Sequence, residues 1–207
     1  MKNDAIKRHW EEIYRTKDTT TDVSWYQANA ATSTELVVST GKDKNSPIID
    51  IGGGDSRFVD KILELGFKKI FMLDISSLAI EKAKKRLRGK TKSVYWIEAD
   101  VLEFDTRIRF DIWHDRAMFH FLTKKKDIAC YVKIAGKLVK PGGALLLATF
   151  SLRGPKRCSG LGIRRHSKSS LKESFGENFS YIKSFEEVHV TPFNTRQIFL
   201  FSVFQRK

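Results

Sequence analysis

The sequence predicts an α/β protein with a doubly wound, mostly parallel seven-stranded sheet that ends in an antiparallel C-terminal hairpin. From Pro47 onward, short apolar runs alternate with segments of helical periodicity, as in successive parallel βαβ units. A glycine turn, GGG, directly follows the first apolar run. Two further apolar runs, joined by the short connection TPFNT, predict the hairpin. This pattern favours the α/β class over a β-sandwich or a helix bundle.

The chain is predicted to be one domain in three parts. Its 207 residues include 15 Phe and 4 Trp, enough apolar surface for a single core. Residues 1–46 are expected to cap a core formed by residues 47–150, and residues 151–207 to supply a loop and the hairpin. The charged start lacks the apolar core of a signal peptide, and no apolar run approaches the ~18 residues of a membrane span. We therefore expect a cytoplasmic protein without a membrane partner.

The first two βα units begin at the glycine turn. The apolar run before this turn predicts a buried strand, and the helix after it is expected to stop at Gly66. The second strand is predicted over residues 69–74. Ser76 or Ser77 can cap the next helix, which is expected to end near Arg88.

The third and fourth strands are predicted over residues 94–100 and 110–114. The link between them is too short for more than a small helix. After Thr123, apolar residues at helical spacing predict a helix, which the turn PGG ends. The fifth strand is predicted over residues 144–150.

The glycine turn distinguishes two classes of nucleotide-binding enzyme. A dinucleotide fold requires GxGxxG, and although Gly52 and Gly54 fit, the third position is Arg57, which would block a close approach of backbone and ligand. Asp50, Gly52 and Gly54 instead meet the pattern DxGxGxG, with Ser56 at its last position. This pattern resembles the turn of the second class, the methyltransferases. A purely structural turn is the remaining alternative.

With this turn, the chain resembles the class I, Rossmann-like S-adenosylmethionine-dependent methyltransferases over nearly its whole length. The resemblance implies that Asp74 holds the ribose hydroxyls of the cofactor, since a carboxylate can accept from two vicinal hydroxyls. It places Asp100 near the adenine amino group, with Val101 beside the ring. Each acid alone could instead be a helix cap, but acids at three successive strand ends favour a ligand site. The implied cofactor contacts at this edge are Asp50, Gly52, Gly54, Asp74, Ile75, Asp100 and Val101.

The segment FDIWHDRAMFHFL is similar to the FDxVxxxxxLHHL segment of many small-molecule methyltransferases. The match implies that Asp115 and Arg116 contact the methionine end of the cofactor. His120 matches the first histidine of the family's pair, whereas Phe121 replaces the second. If the acceptor must lose a proton, Asp115 or His120 is the predicted general base, and His120 is also a predicted substrate contact. A hydrogen-bonded core histidine is the alternative for His120.

The N-terminal segment HWEEIYRTKDTTTDVSWYQ resembles the start of small bacterial methyltransferases that place aromatic residues over the cofactor. Trp10 and Tyr14 are four residues apart and share one face of a helix. Trp25 and Tyr26 follow in an extended stretch. Because aromatic faces attract a sulfonium cation, Tyr14, Trp25 and Tyr26 are predicted cofactor contacts. Alternatively, these side chains only anchor the segment on the core.

The net charge of +14 is concentrated toward the end of the chain. Residues 151–207 hold 11 basic side chains against 4 acidic ones, and residues 151–167 form a predicted glycine- and arginine-rich loop. We predict that Arg164 and Arg165 of this loop contact an anionic substrate, such as a carboxylate or a phosphate. A solvated basic loop is the alternative.

The sequence therefore predicts an S-adenosylmethionine-dependent methyltransferase that acts on a small molecule by in-line displacement. An RNA or protein methyltransferase that uses the basic C-terminal part is one alternative. A non-catalytic nucleic-acid-binding module is another, although no zinc-finger or RNP-like motif supports it. Arg57 argues against a nicotinamide-dependent oxidoreductase. Cys130 and Cys158 lie far apart and outside any CxxC pattern, so neither a disulfide nor a metal site is predicted.

Overall fold

The computed structural model describes residues 2–207. The helices of this part of the chain are α1 (Lys2–Thr16), α2 (Ala31–Ser39), α3 (Phe58–Glu64), α4 (Ser77–Leu87), α5 (Lys125–Leu138) and α6 (Lys168–Phe175), with a short 3₁₀ helix at Phe119–Phe121. The strands are β1 (Ile48–Ile51), β2 (Ile70–Asp74), β3 (Val94–Glu98), β4 (Phe110–Arg116), β5 (Val139–Phe150), β6 (Arg157–Cys158), β7 (Leu161–Gly162), β8 (Phe179–Val190) and β9 (Arg196–Arg206).

The main sheet has the predicted class and connectivity. Within residues 2–207 it contains seven strands in the order β3-β2-β1-β4-β5-β9-β8. Strands β1 to β5 pair in parallel, whereas β9 is antiparallel to β5 and β8 is antiparallel to β9. The predicted doubly wound sheet with a C-terminal antiparallel hairpin is therefore confirmed. Because β2 and β4 flank β1 on opposite sides, the sheet has a switch point there, where open α/β sheets bind ligands.

Helices cover both faces of the sheet, so β1 and β2 are buried along their whole length. One apolar cluster contains α2, α3 and α4, and the other contains α5 and α6. Ile49 and Ile51 belong to the second cluster and Ile48 to the first, as the alternation of a strand requires. Burial on both faces explains the uninterrupted apolar run that predicted β1. None of the helices among the described residues has the length and apolar composition needed to cross a membrane.

The predicted ends of α3 and α4 agree with the structure. Gly66 follows α3 with a φ of 84°, a conformation that ends the helix and favours glycine. Ser76 caps α4, because its side chain accepts a hydrogen bond from the Ala79 backbone. The helix ends at Leu87, where Arg88 adopts the left-handed conformation.

The link between β3 and β4 contains turns but no helix in the described chain, in agreement with its predicted shortness. Two local features differ from the sequence-based expectations. Strand β5 begins at Val139, before the PGG turn, because Val139 pairs with Phe110. Helix α2 was not predicted: its Thr, Ser and Val residues have modest helix propensity, so burial of Leu36 and Val37 must stabilise it.

Candidate functional site

A cavity of about 310 Å³ opens at the carboxyl ends of the central strands. The predicted site residues at its walls are Tyr14, Trp25, Gly52, Asp74, Ile75, Asp100, Val101 and Arg116. A second cavity, of about 50 Å³, shares some of these walls and is also bordered by Tyr26 and Asp50. Of the predicted cofactor contacts, Gly54 and Asp115 border neither of these two cavities. Strand ends far apart in sequence therefore meet around one space.

Asp74 is buried at the end of β2 and borders the larger cavity. Its Oδ2 accepts a hydrogen bond from Gly54 N, and its Oδ1 accepts one from Ser76 N, both at 2.8 Å. Burial raises the pKa of Asp74 to about 7, although the two backbone donors favour the ionised form. Additional hydrogen-bond donors from a ligand would therefore stabilise the charged carboxylate.

The glycine turn after β1 lies in close contact with two other segments. At Gly54, φ is 57°, and a Cβ atom would overlap the hydroxyl of Tyr14 from α1. At Gly52, φ is 63°, and a Cβ atom would lie 2.7 Å from Cβ of Met118, which follows β4. Both the conformation and the close approach therefore require glycine at these two positions.

Asp50 connects the turn to α2. Its Oδ1 lies 2.7 Å from Nδ1 of His114, and Nε2 of this histidine lies 2.9 Å from the hydroxyl of Ser33. The other carboxylate oxygen, Oδ2, is buried and has no hydrogen-bond partner among the described residues. Since an unsatisfied buried carboxylate oxygen costs free energy, a ligand that donates a hydrogen bond fits this position.

Aromatic residues of the N-terminal segment line the larger cavity. The ring of Trp10 meets those of Trp25 and Phe121 edge-on, at centroid distances of 5.7 and 5.1 Å. Glu11 anchors α1, because its Oε1 accepts a hydrogen bond of 2.6 Å from Ser77 N. This bond lies at the N-terminus of α4, where the helix dipole favours a negative charge.

Asp115, a predicted base and cofactor contact, has its carboxylate hydrogen-bonded inside the protein. Its Oδ1 accepts hydrogen bonds from the backbones of Met118 and Phe119, and its Oδ2 accepts one of 2.7 Å from the Tyr131 hydroxyl. Trp113 Nε1 donates to the same hydroxyl at 2.8 Å. Burial raises the pKa of Asp115 to about 6. Both oxygens are occupied inside the protein, so Asp115 is not brought to the cavity as a base or cofactor contact.

His120 is also kept away from the two cavities. It is fully buried, and its ring stacks on Phe150 at a centroid distance of 4.4 Å. Burial lowers the pKa of His120 to about 3, so the ring is neutral at physiological pH. Its two ring nitrogens have no partner within residues 2–207. The structure therefore does not bring His120 to either cavity as a base or a substrate contact.

The loop over residues 151–167 reaches the larger cavity, but not through the predicted arginines. Arg165 donates a hydrogen bond of 2.6 Å to the carbonyl of Leu152, and neither it nor Arg164 borders the two cavities. The residues of the loop that do border the larger cavity are Cys158, Leu161 and Gly162. No sequence pattern distinguished them, because the small hairpin of β6 and β7 that places them forms only in the folded loop.

Arg116 borders both cavities at the end of β4. Its Nη1 donates a hydrogen bond of 3.0 Å to the carbonyl of Trp25, and the guanidinium carbon lies 4.6 Å from the ring centre of Phe199. Nε and Nη2 are buried and have no partner in the described part of the chain. Burial lowers the pKa of Arg116 to about 10, so the side chain remains a cation at neutral pH.

Comparisons with known proteins give a matching family model, a sequence relative and similar folds. The model of the methyltransferase domain family matches residues 42–201. Malonyl-[acyl-carrier protein] O-methyltransferase 1 of Ilyobacter polytropus is 27% identical over 191 residues, which are 92% of this chain and 67% of that protein. The N-methyltransferase NodS of Bradyrhizobium japonicum, solved with S-adenosyl-L-homocysteine, has a TM-score of 0.73 at 19% identity, covering 96% of this chain and 98% of its own. Magnesium protoporphyrin IX methyltransferase of Synechocystis, solved with S-adenosylmethionine, has a TM-score of 0.74 at 13% identity, covering 99% of this chain and 97% of its own.

Tyr131 donates a buried hydrogen bond to Asp115 in the turn after β4. The variant Tyr131→Phe therefore tests how much this bond contributes to stability. Without the hydroxyl, Asp115 Oδ2 and Trp113 Nε1 lose a shared partner in the core, and we expect the free energy of unfolding to fall by about 1–3 kcal/mol. Urea denaturation measures the change. Tyr95→Phe is the matched control, because Tyr95 is 51% exposed on β3. Equal stabilities of the two variants would contradict the role given to Tyr131.

Proposed function

The chain belongs to the methyltransferase domain family and is an S-adenosylmethionine-dependent methyltransferase, and we propose that it methylates a small organic acceptor in the larger cavity. The observation that carries the proposal is the cavity itself, which joins the polar strand ends to an apolar, aromatic wall. The similar folds include enzymes named for N-methyl transfer and for a magnesium porphyrin, which supports an acceptor of this class.

The residues at the cavity fit the nucleoside part of the cofactor. Asp74 has a buried carboxylate with two backbone donors already in place, so it is suited to accept hydrogen bonds from the ribose hydroxyls. Asp100 is suited to the adenine amino group, and Ile75 and Val101 supply apolar contacts to the ring. Gly54 acts indirectly, because its backbone N–H orients Asp74.

The second cavity fits the amino-acid part of the cofactor. The unpartnered Oδ2 of Asp50 is an acceptor for an ammonium group, and Gly52 leaves the backbone accessible beside it. Tyr14, Trp25 and Tyr26 border the same space and would exclude water from it. Arg116 borders both cavities, and the experiment on its variants described below separates a contact with the methionine end from one with the acceptor.

Methyl transfer requires alignment and exclusion of water more than a reactive side chain. When bound, S-adenosylmethionine supplies an already activated methyl group on a sulfonium. The rings of Trp10 and Trp25 provide faces that attract a cation and keep the site dry. The oxygens of Asp115 accept hydrogen bonds within the protein, and His120 is fully buried in the core. We therefore assign neither residue a role in proton transfer.

The alternative acceptors are RNA and protein, which the basic C-terminal part could attract. Incubating the purified enzyme with methyl-labelled cofactor and a bacterial cell extract, followed by ultrafiltration, separates the possibilities. We expect label in the small-molecule fraction, because the proposed acceptor binds inside a cavity. Label confined to RNA or protein would contradict a small acceptor while leaving the methyltransferase activity intact.

Asp74→Ala is expected to weaken binding of S-adenosyl-L-homocysteine by about 1.5–3 kcal/mol, the loss of hydrogen bonds to a charged group. Titration calorimetry at constant pH measures this change. Asp105→Ala is the control, since Asp105 is an exposed acid paired with Lys137. If Asp74→Ala binds as tightly as the parent, Asp74 is not the ribose ligand.

Cofactor affinity is also expected to depend on pH through Asp74. Ribose hydroxyls donate to the ionised carboxylate, so binding favours the form that dominates above the free protein's pKa of about 7. The dissociation constant of S-adenosyl-L-homocysteine is therefore expected to be constant above this pH. Below it, affinity should fall by up to about tenfold per pH unit until the carboxyl of the complex is also protonated. Asp74→Asn should abolish this dependence, and an unchanged profile in the variant would refute the assignment.

A further inference from the structure

The guanidinium of Arg116 has one occupied side and one free edge. Nη1 donates to the carbonyl of Trp25, whereas Nε and Nη2 have no partner among residues 2–207 although both atoms are buried. The N–H bonds of Nε and Nη2 point in the same direction and form the planar fork that matches the two oxygens of a carboxylate. Leaving such charged donors unpaired is unfavourable, so this edge is suited to an anionic ligand.

The acids around Arg116 do not occupy this edge. The charge of Glu187 raises the pKa of Arg116 without a direct contact, and the Glu187 carboxylate accepts a hydrogen bond from the Thr32 hydroxyl. Asp50 raises the pKa of Arg116 less than Glu187 does, and its carboxylate is hydrogen-bonded to His114. Within the described chain, no ion pair of Arg116 with an acid is formed. The cation is therefore held in place by a carbonyl and an aromatic ring, without a counter-ion in contact.

The sheet separates this edge from the Asp74 end of the larger cavity. Asp74 ends β2, which lies on one side of β1, whereas Arg116 ends β4 on the other side. From β4 the Arg116 side chain extends away from β1, because it reaches the ring of Phe199 on β9, beyond β5. Phe121 and Leu161 supply apolar wall on the cavity that Arg116 borders. An acceptor bound there would meet a buried cation within apolar surroundings.

We propose that the free edge of Arg116 binds a carboxylate of the methyl acceptor. This inference rests on the proposed function, since it names the chemical class of the small acceptor. A singly charged carboxylate matches one buried guanidinium better than a doubly charged phosphate, which would leave net charge in the interior. The methionine carboxylate of the cofactor offers the same chemistry, and the experiment separates the two sources.

The first arm uses the parent protein saturated with S-adenosyl-L-homocysteine. Ligand-observed NMR compares a series of carboxylates with their primary amides, including acetate with acetamide and phenylacetate with phenylacetamide. We expect at least one carboxylate to bind about tenfold or more tightly than its amide, as a charge-assisted fork requires. If no carboxylate is preferred to its amide, the proposal is refuted without any variant. Failure of S-adenosyl-L-homocysteine to bind would instead refute the proposed function.

The second arm tests Arg116 directly. Arg116→Lys keeps the charge but loses the fork, and Arg116→Gln loses both; Lys156→Gln, in the exposed part of the loop, is the control. We expect both Arg116 variants to lose the carboxylate preference and to bind 5′-methylthioadenosine, which has no carboxylate, as tightly as the parent does. Retention of the preference would overturn the proposal. So would a loss of S-adenosyl-L-homocysteine affinity with unchanged binding of 5′-methylthioadenosine, because that result assigns Arg116 to the cofactor's own carboxylate.

Discussion

The carboxylate of Asp74 joins two backbone turns that lie far apart in sequence. Gly54 donates to one oxygen and Ser76 to the other, each at 2.8 Å, so the end of β1 and the start of α4 are held against one side chain. The N-terminal helix depends on this arrangement, because Glu11 binds the first turn of α4 and Tyr14 packs where Gly54 has no side chain. Burial of Asp74 disfavours its charged form and raises its pKa to about 7. Hydrogen bonds from ligand hydroxyls would offset this free-energy cost of burying the charge.

Acids at neighbouring strand ends have different roles because their oxygens meet different partners. Asp115 accepts three hydrogen bonds and stabilises the turn after β4, where Ala117 adopts a φ of 74° that is unfavourable for a residue with a Cβ. Its hydrogen bonds offset this strain and position the adjacent wall of the cavity. Asp50 has one bonded oxygen and one free oxygen, and Asp74 is bonded yet accessible from the cavity. The number of free lone pairs, rather than the residue type, separates a structural acid from a ligand-binding one.

The net positive charge of the chain indicates less about the chemistry of the acceptor than the buried side chain of Arg116 does. Arg153 and Arg157 of the loop are exposed, where water screens a charge and a partner adds little stability. Arg116 is a cation in a site of low polarity, where an unpaired donor is costly and a matched anion is correspondingly favourable. A single buried guanidinium therefore distinguishes an anionic ligand from a neutral one more strongly than a cluster of solvated side chains does.

The sequence alone determined the α/β class, the glycine turn, the acids at the ends of β1 and β2, and the N-terminal aromatic residues. These features follow from local patterns, because a buried parallel strand needs an apolar run and a tight turn needs glycine. The tertiary structure decided which polar atoms remain free. Asp115 is satisfied by Tyr131 from α5, and Arg116 reaches Trp25 and Phe199, which come from opposite ends of the chain. Such partners lie far apart in sequence and become neighbours only through the order of strands in the sheet, so no local pattern reports them.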